Sequence, residues 1–314
     1  MRVGLVFDIG GRGDKSFNDA AYRGLERAAR ELGVVAEYIE PGEGSDRESG
    51  LRLLAASGFD LVIGVGFIFS DDLYQIAKEY PHVHFACIDY AKFDAHGFVV
   101  PPENLVALKF REEEGSFLVG ALAALMSKSH TVGFVGGMDI PLIHKFEAGY
   151  KAGVRQVCPN CRVLSGYAGV TADAFRNPAK GKELALAQYA GAADIIFPAA
   201  GSTGLGVFEA ARQEHRLAIG VDSDQYAEAP GSILTSMTKQ VDVSVFETVR
   251  ALKERRFVGG VRTFGLKENG VDYVYDAHNR VLIPAGVRAQ VEALRKKIIA
   301  GEIVVPDRES SHGG

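Results

Sequence analysis

The chain has 314 residues, 47% of them hydrophobic and 24% charged, with a formal net charge of −5. This length predicts about two domains with a sizeable core. The balanced charge excludes a strongly basic nucleic-acid surface, and no apolar run approaches the roughly 18 residues of a membrane-spanning helix.

The first hundred residues alternate between apolar strands and amphipathic helices. The predicted strands are 3–8, 34–39, 61–64, 84–88 and 104–110, and the predicted helices are 17–32, 46–56 and 71–79. A regular βα alternation of this kind predicts a parallel sheet with right-handed crossovers.

A second series begins after a helix predicted over 113–127. Its predicted strands are 132–135, 163–167, 195–197, 217–221, 233–236 and 273–275, and its helices are 146–157, 178–189, 207–213, 241–254 and 287–299. Two such series predict two doubly wound lobes. No low-complexity linker separates them, so we expect strands to cross directly from lobe to lobe and form a hinge.

The chain contains three cysteines. Cys87 lies in an apolar strand and is predicted to be a small core residue. Cys158 and Cys161 form one C-P-N-C motif, which is compatible with a local disulfide or with two free thiols. A zinc site would need further ligands, so we assign these cysteines no chemistry.

Three aspartates follow apolar strands: Asp8, Asp89 and Asp222. The carboxyl ends of parallel strands are where open α/β sheets bind ligands, so these acids are predicted to point into one cleft, although each alone could be a capping residue. Lys239 ends the strand that contains T-S-M-T, and a cation there disfavours a metal site. The pattern therefore favours a polar ligand with hydroxyl groups.

Two aromatic residues lie at predicted strand or helix ends. Phe17 opens a helix beside Asn18, and Phe197 ends a strand of the second series. If both face the cleft, they would sandwich a flat ring, and such stacking is worth about 1–3 kcal/mol per base. Phe175 is a third candidate, although a loop phenylalanine packed on the sheet is the more ordinary interpretation. Gly201 could let the backbone approach a ligand or form a plain turn.

Common enzyme motifs are absent from the sequence. No G-x-S-x-G or H-E-x-x-H occurs. Asp8 and Asp14 resemble part of the calcium-holding aspartate cluster of nucleoside hydrolases, but Gly10 and Lys15 stand where that cluster needs acids. We therefore predict a non-enzymatic protein, with a nucleoside hydrolase-like enzyme as the alternative.

Eight motifs together resemble the basic membrane protein (BMP) family of substrate-binding lipoproteins, whose characterised members include purine nucleoside receptors. The motifs are F-D-I-G-G-R-G-D-K-S-F-N (7–18), E-E-G-S-F-L-V-G (113–120), F-V-G-G-M-D-I-P (134–141), F-E-A-G-Y-K-A-G (146–153), N-P-A-K-G (177–181), F-P-A-A-G-S-T-G (197–204), I-G-V-D-S-D-Q (219–225) and I-L-T-S-M-T-K (233–239). They occur in the family's order over nearly the whole chain.

The resemblance implies a type I periplasmic-binding-protein fold, in which two doubly wound parallel-sheet lobes are joined by a three-strand hinge. Lobe 1 would comprise 1–109 and 237–260, lobe 2 would comprise 110–236 and 261–307, and 308–314 would be a disordered tail. A purine nucleoside (guanosine, adenosine or inosine) would bind between the lobes, with riboflavin or another heterocycle as an alternative ligand.

The resemblance also implies roles for individual residues. It assigns base stacking to Phe17 and Phe197, base contacts to Asp8, Asn18 and Asp89, and ribose contacts to Asp222 and Lys239. Asp224 is the alternative to Asp222. Gly201 and Ser202 would lie near the ribose, and Ser202 stands where the family pattern leads us to expect glycine. No cofactor, metal or catalytic residue is implied.

The implied partner is an ABC transporter permease, with the receptor a monomer outside the cytoplasm and lipid-anchored at full length. The first predicted strand begins at residue 2 or 3, so we expect no signal segment or lipidated cysteine in this chain. That expectation fits either a cytoplasmic protein or the mature form of an exported one.

Overall fold

The structure is a computed structural model that describes residues 1–42 and 46–309. The chain divides into unit 1, Met1–Phe110 with Gln240–Phe264, and unit 2, Arg111–Lys239 with Gly265–Gly314. It passes from one unit to the other after Phe110, Lys239 and Phe264. The boundaries expected from the sequence follow residues 109, 236 and 260, so the two divisions of the chain differ by one to four residues at each crossing.

The helices and strands follow the chain in the expected alternation. Residues up to Phe110 form β1 (Arg2–Val6), α1 (Phe17–Leu32), β2 (Val35–Ile39), α2 (Asp46–Ala56), β3 (Leu61–Val65), α3 (Ser70–Glu79), β4 (His84–Ile88) and β5 (Leu105–Phe110). Next come α4 (Glu112–Met126), β6 (Thr131–Met138), α5 (Pro141–Val157), β7 (Arg162–Gly169), α6 (Pro178–Ala190), β8 (Ile195–Ala199), α7 (Thr203–Gln213), β9 (Leu217–Asp222) and β10 (Ile233–Lys239). The remainder forms α8 (Val241–Lys253), β11 (Gly260–Phe264), β12 (Val271–Tyr273) and α9 (Ala285–Ile299).

The sheet of unit 1 has the strand order β11-β5-β4-β3-β1-β2, and every pair is parallel. β3 is buried along its whole length, as expected for a central strand covered by helices on both faces. On one side of the sheet, Phe85 of β4 belongs to a core cluster with Leu51, Phe69 and Leu73. Strand β11 was not predicted, because Gly260, Arg262 and Thr263 give it a polar composition.

The sheet of unit 2 has the order β12-β10-β9-β8-β6-β7. Its pairs are parallel except for the short edge strand β12, which runs antiparallel to β10. Helices α4 and α5 pack closely, since a Cβ atom on Gly153 would lie 2.0 Å from the carbonyl oxygen of Phe117. The two mainly parallel sheets confirm the predicted α/β architecture.

Two helices of unit 2 begin earlier than predicted. Helix α5 begins at Pro141 rather than residue 146, and α7 begins at Thr203 rather than residue 207. A Cβ atom on Gly206 would lie 1.8 Å from the carbonyl oxygen of Pro178, at the start of α6. Gly206 therefore lets two helices approach each other, and because it lies within α7 the glycine-rich loop is shorter than expected.

Cys87 is buried in β4, as predicted, and the structure joins Cys158 to Cys161 in a disulfide. Within residues 1–42 and 46–309, no helix has both the length and the apolar character needed to cross a membrane. Of the tail predicted to be disordered, 310–314 lie outside the described residues, whereas Glu309 forms an ion pair with Lys151.

Candidate functional site

The loop after β1 is held by side chains of the loop itself and of helix α1. Asp14 is buried and accepts hydrogen bonds from the backbone N–H groups of Ser16 (2.9 Å) and Asn18 (2.8 Å), which caps the helix. The Asn18 amide donates to Asp14 (3.1 Å) and accepts from the backbone N–H of Asp8 (3.1 Å). Asn18 thus ties the strand end to the helix start, and Phe17, the first residue of α1, is half-buried beside it.

Sequence reasoning gave Asp14 no role beyond its likeness to a calcium cluster. The structure instead commits its carboxylate oxygens to backbone N–H groups at the start of α1. The spacing of an aspartate before S-F-N could have indicated this cap, because Asp is a favoured residue before the first helical turn.

Asp8 has an unusual electrostatic environment at the carboxyl end of β1. Burial, together with the negative charges of Asp89 and Asp14, raises the pKa of Asp8 to about 7, against the lowering effects of the Ile9 N–H and the positive charge of Arg47. That N–H donates to the Asp8 carboxyl at 2.6 Å. A carboxyl group with a pKa near neutrality can either accept or donate a hydrogen bond to a ligand.

Asp89 follows β4 at the same edge of the sheet and is 6% exposed. Its backbone has φ +60°, in the left-handed region that non-glycine residues seldom occupy. Such a conformation persists only where the surroundings enforce it, and it is typical of functional sites.

Gly66 follows β3, the strand that lies between β1 and β4. It has φ +111°, and a Cβ atom there would lie 2.2 Å from a carboxyl oxygen of Asp8. Glycine is therefore required where the Asp8 side chain crosses the end of β3.

Asp222 and Lys239 end neighbouring parallel strands at the carboxyl edge of unit 2. Asp222 pairs with Thr238 in the β9–β10 register, so Lys239 is the next residue along. Asp222 is 9% exposed with φ +63°, and Lys239 is 2% exposed. The structure thus brings a strained acid and a buried ammonium group to one sheet edge, as the sequence predicted for these two residues.

Asp224, the alternative to Asp222, has a local structural role. It accepts a hydrogen bond from the backbone N–H of Tyr226 at 3.1 Å and shapes the turn that follows β9. Asp222 remains the residue predicted from its place at the strand end.

The structure places Phe197 elsewhere than predicted. Its side chain is 0% exposed, and its ring centroid lies 5.9 Å from that of Phe134 and 5.4 Å from that of Tyr150. This aromatic cluster belongs to the core of unit 2, so Phe197 offers no ring face to a ligand. The prediction that Phe197 stacks on a ligand is therefore wrong. In a short apolar run, the sequence does not distinguish a residue inside a buried strand from one at its exposed end.

Phe175, the third aromatic candidate, ends a short 3-10 helix of unit 2. Its half-buried ring lies against Gly137 near the end of β6, where a Cβ atom would be only 2.4 Å from the ring. The Ser202 hydroxyl donates to the carbonyl oxygen of Phe175 at 3.0 Å, and the Thr203 hydroxyl donates to that of Ala174 at 2.7 Å. These bonds hold the aromatic ring at the carboxyl edge of the sheet.

Gly201 and Ser202 support this segment as well. Gly201 has φ +57°, and a Cβ atom there would lie 3.0 Å from the carbonyl oxygen of Phe175. Serine in place of the expected glycine at position 202 supplies the hydroxyl that binds the Phe175 backbone. Both residues thus lie at the sheet edge, where their observed contacts position Phe175.

One group of possible metal ligands lies within mutual reach in the described part of the chain: His130, Cys158 and Cys161. The Nδ1 atom of His130 is 3.8 Å and 3.7 Å from the two sulfur atoms. Because the sulfurs are joined in a disulfide, the cysteines are not available as thiolate ligands in this structure.

The geometry can be compared with known proteins. Residues 1–309 match the family model described as Bmp, ABC transporter substrate-binding protein PnrA-like. An uncharacterized lipoprotein of Pyrococcus abyssi is 37% identical over 87% of this chain and 69% of its own length. Basic membrane protein A of Borreliella burgdorferi is 34% identical, over 99% of this chain and 89% of its own.

Among solved structures, a solute-binding protein of an ABC transporter system from Aeropyrum pernix K1 matches with a TM-score of 0.86. The two chains are 32% identical, and the match covers 98% of this chain and 94% of that one. The fold is therefore the periplasmic-binding fold of ABC solute-binding proteins.

Proposed function

Because this chain belongs to the Bmp family of PnrA-like ABC transporter substrate-binding proteins, we propose that it is a receptor that captures a purine nucleoside for import. The observation that carries the proposal is the pair Asp222 and Lys239, buried side by side at one sheet edge. An acceptor next to a cationic donor suits the hydroxyl groups of a ribose.

The base contacts in this proposal come from unit 1. Asp8 and Asp89 present carboxyl groups to the donor and acceptor edge of the purine, and Asn18 fixes the loop that carries Asp8. Because the pKa of Asp8 is raised to about 7, mainly by burial, this side chain can serve as donor or acceptor near neutral pH.

Base stacking is assigned to Phe17 of unit 1 and to Phe175 of unit 2. Both rings are half-buried at the start or end of an element. Phe175 replaces Phe197 because its ring reaches the sheet edge over Gly137, whereas Phe197 lies in the core.

We further propose that the chain binds its ligand without chemical conversion. Asp14, which a hydrolase would use to hold calcium, is engaged in capping helix α1. Incubation with inosine and calcium should release no free hypoxanthine, and release of the base would favour the hydrolase alternative.

The proposed setting is outside the cytoplasm, with an ABC permease as partner, a lipid anchor on the full-length protein and a monomeric receptor. The lipoprotein named in Pyrococcus abyssi supports this placement. Crosslinking to a membrane fraction that contains the candidate permease, with and without nucleoside, would test the partnership, and size-exclusion chromatography with light scattering would test the monomer.

Isothermal titration calorimetry tests the ligand. We expect guanosine, adenosine or inosine to bind with 1:1 stoichiometry and the corresponding free base to bind more weakly. Phe17→Ala should weaken binding by about 5- to 150-fold, the range of one lost base–aromatic stack. Binding of riboflavin but of no purine nucleoside would refute the proposal.

A further inference from the structure

Lys239 belongs to a group of buried charges in unit 2. Its Nζ atom lies 3.0 Å from Oε1 of Glu112, the first residue of helix α4. The other oxygen of Glu112 lies 2.5 Å from Nζ of Lys145, on helix α5. Glu112 is 1% exposed and Lys239 is 2% exposed, so both ends of this ion pair are removed from water.

The electrostatics of the group keep Glu112 ionised. Burial alone would raise the pKa of Glu112, but Lys145 and Lys239 lower it to about 2. Burial likewise lowers the pKa of Lys145, but Glu112 and Glu113 outweigh this effect and raise it. Removing one partner from a buried ion pair leaves an uncompensated charge, so loss of the Glu112 carboxylate would leave Lys239 and Lys145 without this countercharge.

Lysine needs such a constraint more than most residues. Its ammonium group sits on a flexible four-carbon stem, and it can rotate to many positions when nothing fixes it. Lys239 is the last residue of unit 2 before the chain enters unit 1. A carboxylate on a different element, helix α4, lies within ion-pair distance of this ammonium group and can restrict where it points.

We infer that Glu112 is a positioning residue, which holds the Lys239 ammonium group in place for the ligand without touching the ligand itself. The part of the inference that concerns the ligand rests on the proposed ribose contact of Lys239. The hold of Glu112 on Lys239 exists before any ligand binds and can be tested separately.

The chain provides a matched control in the same helical turn. Glu113 contacts Lys145 at 3.3 Å, whereas Glu112 contacts both Lys145 and Lys239. Glu113→Gln therefore removes one carboxylate charge next to the same lysine network and keeps the ion pair under test.

The first arm uses the ligand-free protein. Two-dimensional ¹H–¹⁵N NMR of lysine ammonium groups should show a Lys239 signal that exchanges slowly with water, identified by its loss in Lys239→Met. We expect the signal to persist in Glu113→Gln and to be shifted or lost in Glu112→Gln. An unchanged signal in Glu112→Gln would overturn the inference, whether or not the protein binds nucleosides.

The second arm measures nucleoside affinity by calorimetry in a double-mutant cycle. Glu112→Gln should weaken binding about tenfold or more, the scale of a hydrogen bond to a charged group, and Glu113→Gln should stay within about threefold of the wild type. In the Lys239→Met background, Glu112→Gln should have no further effect. If the affinity losses of Glu112→Gln and Lys239→Met multiply in the double variant, the inference is overturned, because Glu112 would then affect binding independently of Lys239.

The two arms separate the possible failures. If the wild type binds no nucleoside, the proposed function fails, and the NMR arm alone decides the role of Glu112. Thermal unfolding of each variant identifies any that do not fold, and Glu112→Asp then replaces Glu112→Gln. A shorter carboxylate should restore part of the Lys239 signal, and no restoration in a folded Glu112→Asp protein would contradict the inference.

Discussion

The ionised carboxyl group of Asp8 is expected to lower the free energy of unfolding of the ligand-free protein, although the same group is proposed to bind the ligand. Its pKa rises from 3.8 to about 7, chiefly through burial, which is a shift of about 3 units. At 1.36 kcal/mol per unit, ionising the native protein costs about 4 kcal/mol more than ionising the unfolded chain. We expect roughly half of this to be measured, because relaxation and water penetration reduce such penalties.

The sign of the effect follows from the raised pKa. Below about pH 4 the carboxyl group is protonated in both states, so it costs nothing. As the pH rises towards 7, the unfolded chain loses its proton while the native protein retains it, so native stability falls. Above about pH 7 both states are ionised and the loss is constant.

Asp8→Asn removes the ionisation and keeps an oxygen to accept from the Ile9 N–H. Guanidinium unfolding of the ligand-free proteins at several pH values should show equal stability near pH 4. The variant should become more stable by about 2–4 kcal/mol by pH 8. Nucleoside affinity should fall in the same variant. A pH-independent difference, or a variant less stable at pH 8, would refute the reasoning.

Four further substitutions test individual contacts. Asp222→Ala should weaken nucleoside binding by about 100-fold, the scale of one strong hydrogen bond to a charged acceptor, and should change binding of the free base little. Equal losses of nucleoside and free-base affinity in calorimetry would exclude a ribose contact for Asp222. Phe175→Ala should weaken nucleoside binding by about 5- to 150-fold. Phe197→Leu should instead lower the unfolding midpoint while the folded protein keeps its affinity. A loss of affinity in Phe197→Leu but not in Phe175→Ala would restore Phe197 as the stacking residue. Gly66→Ala should destabilise the protein by about 1–3 kcal/mol through its positive φ and the contact with Asp8; unchanged chemical unfolding would contradict the close approach.

The site residues that could be predicted from the sequence are those that directly follow an apolar strand. Asp8, Asp89 and Asp222 each follow an apolar run, and parallel strands bring such residues to one edge of their sheet. The left-handed backbone of Asp89 and Asp222 could not be predicted, because it depends on how each following loop is held.

The aromatic positions show where sequence reasoning ends. β8 is buried throughout, so its sequence does not reveal that Phe197 packs on Phe134 and Tyr150 inside the unit. Phe175 is placed by Gly137 and Ser202, which are distant from it in sequence. Strand β11 was missed because it is a polar edge strand, whose register against β5 is a tertiary contact.

The ion pair between Glu112 and Lys239 could not be predicted from the sequence either. The motif around E-E-G-S-F contributed to the family resemblance, but three successive glutamates at a helix start usually indicate favourable charges in the first turn. The fold buries Glu112 against Lys239, and that contact between α4 and the end of β10 is a tertiary one.

Native mass spectrometry of the gently purified protein tests the central claim most directly. The account predicts an intact purine nucleoside that stays bound without conversion, is released on unfolding and rebinds to the emptied protein. A bound flavin, or an emptied protein that takes up neither guanosine, adenosine nor inosine, would contradict it.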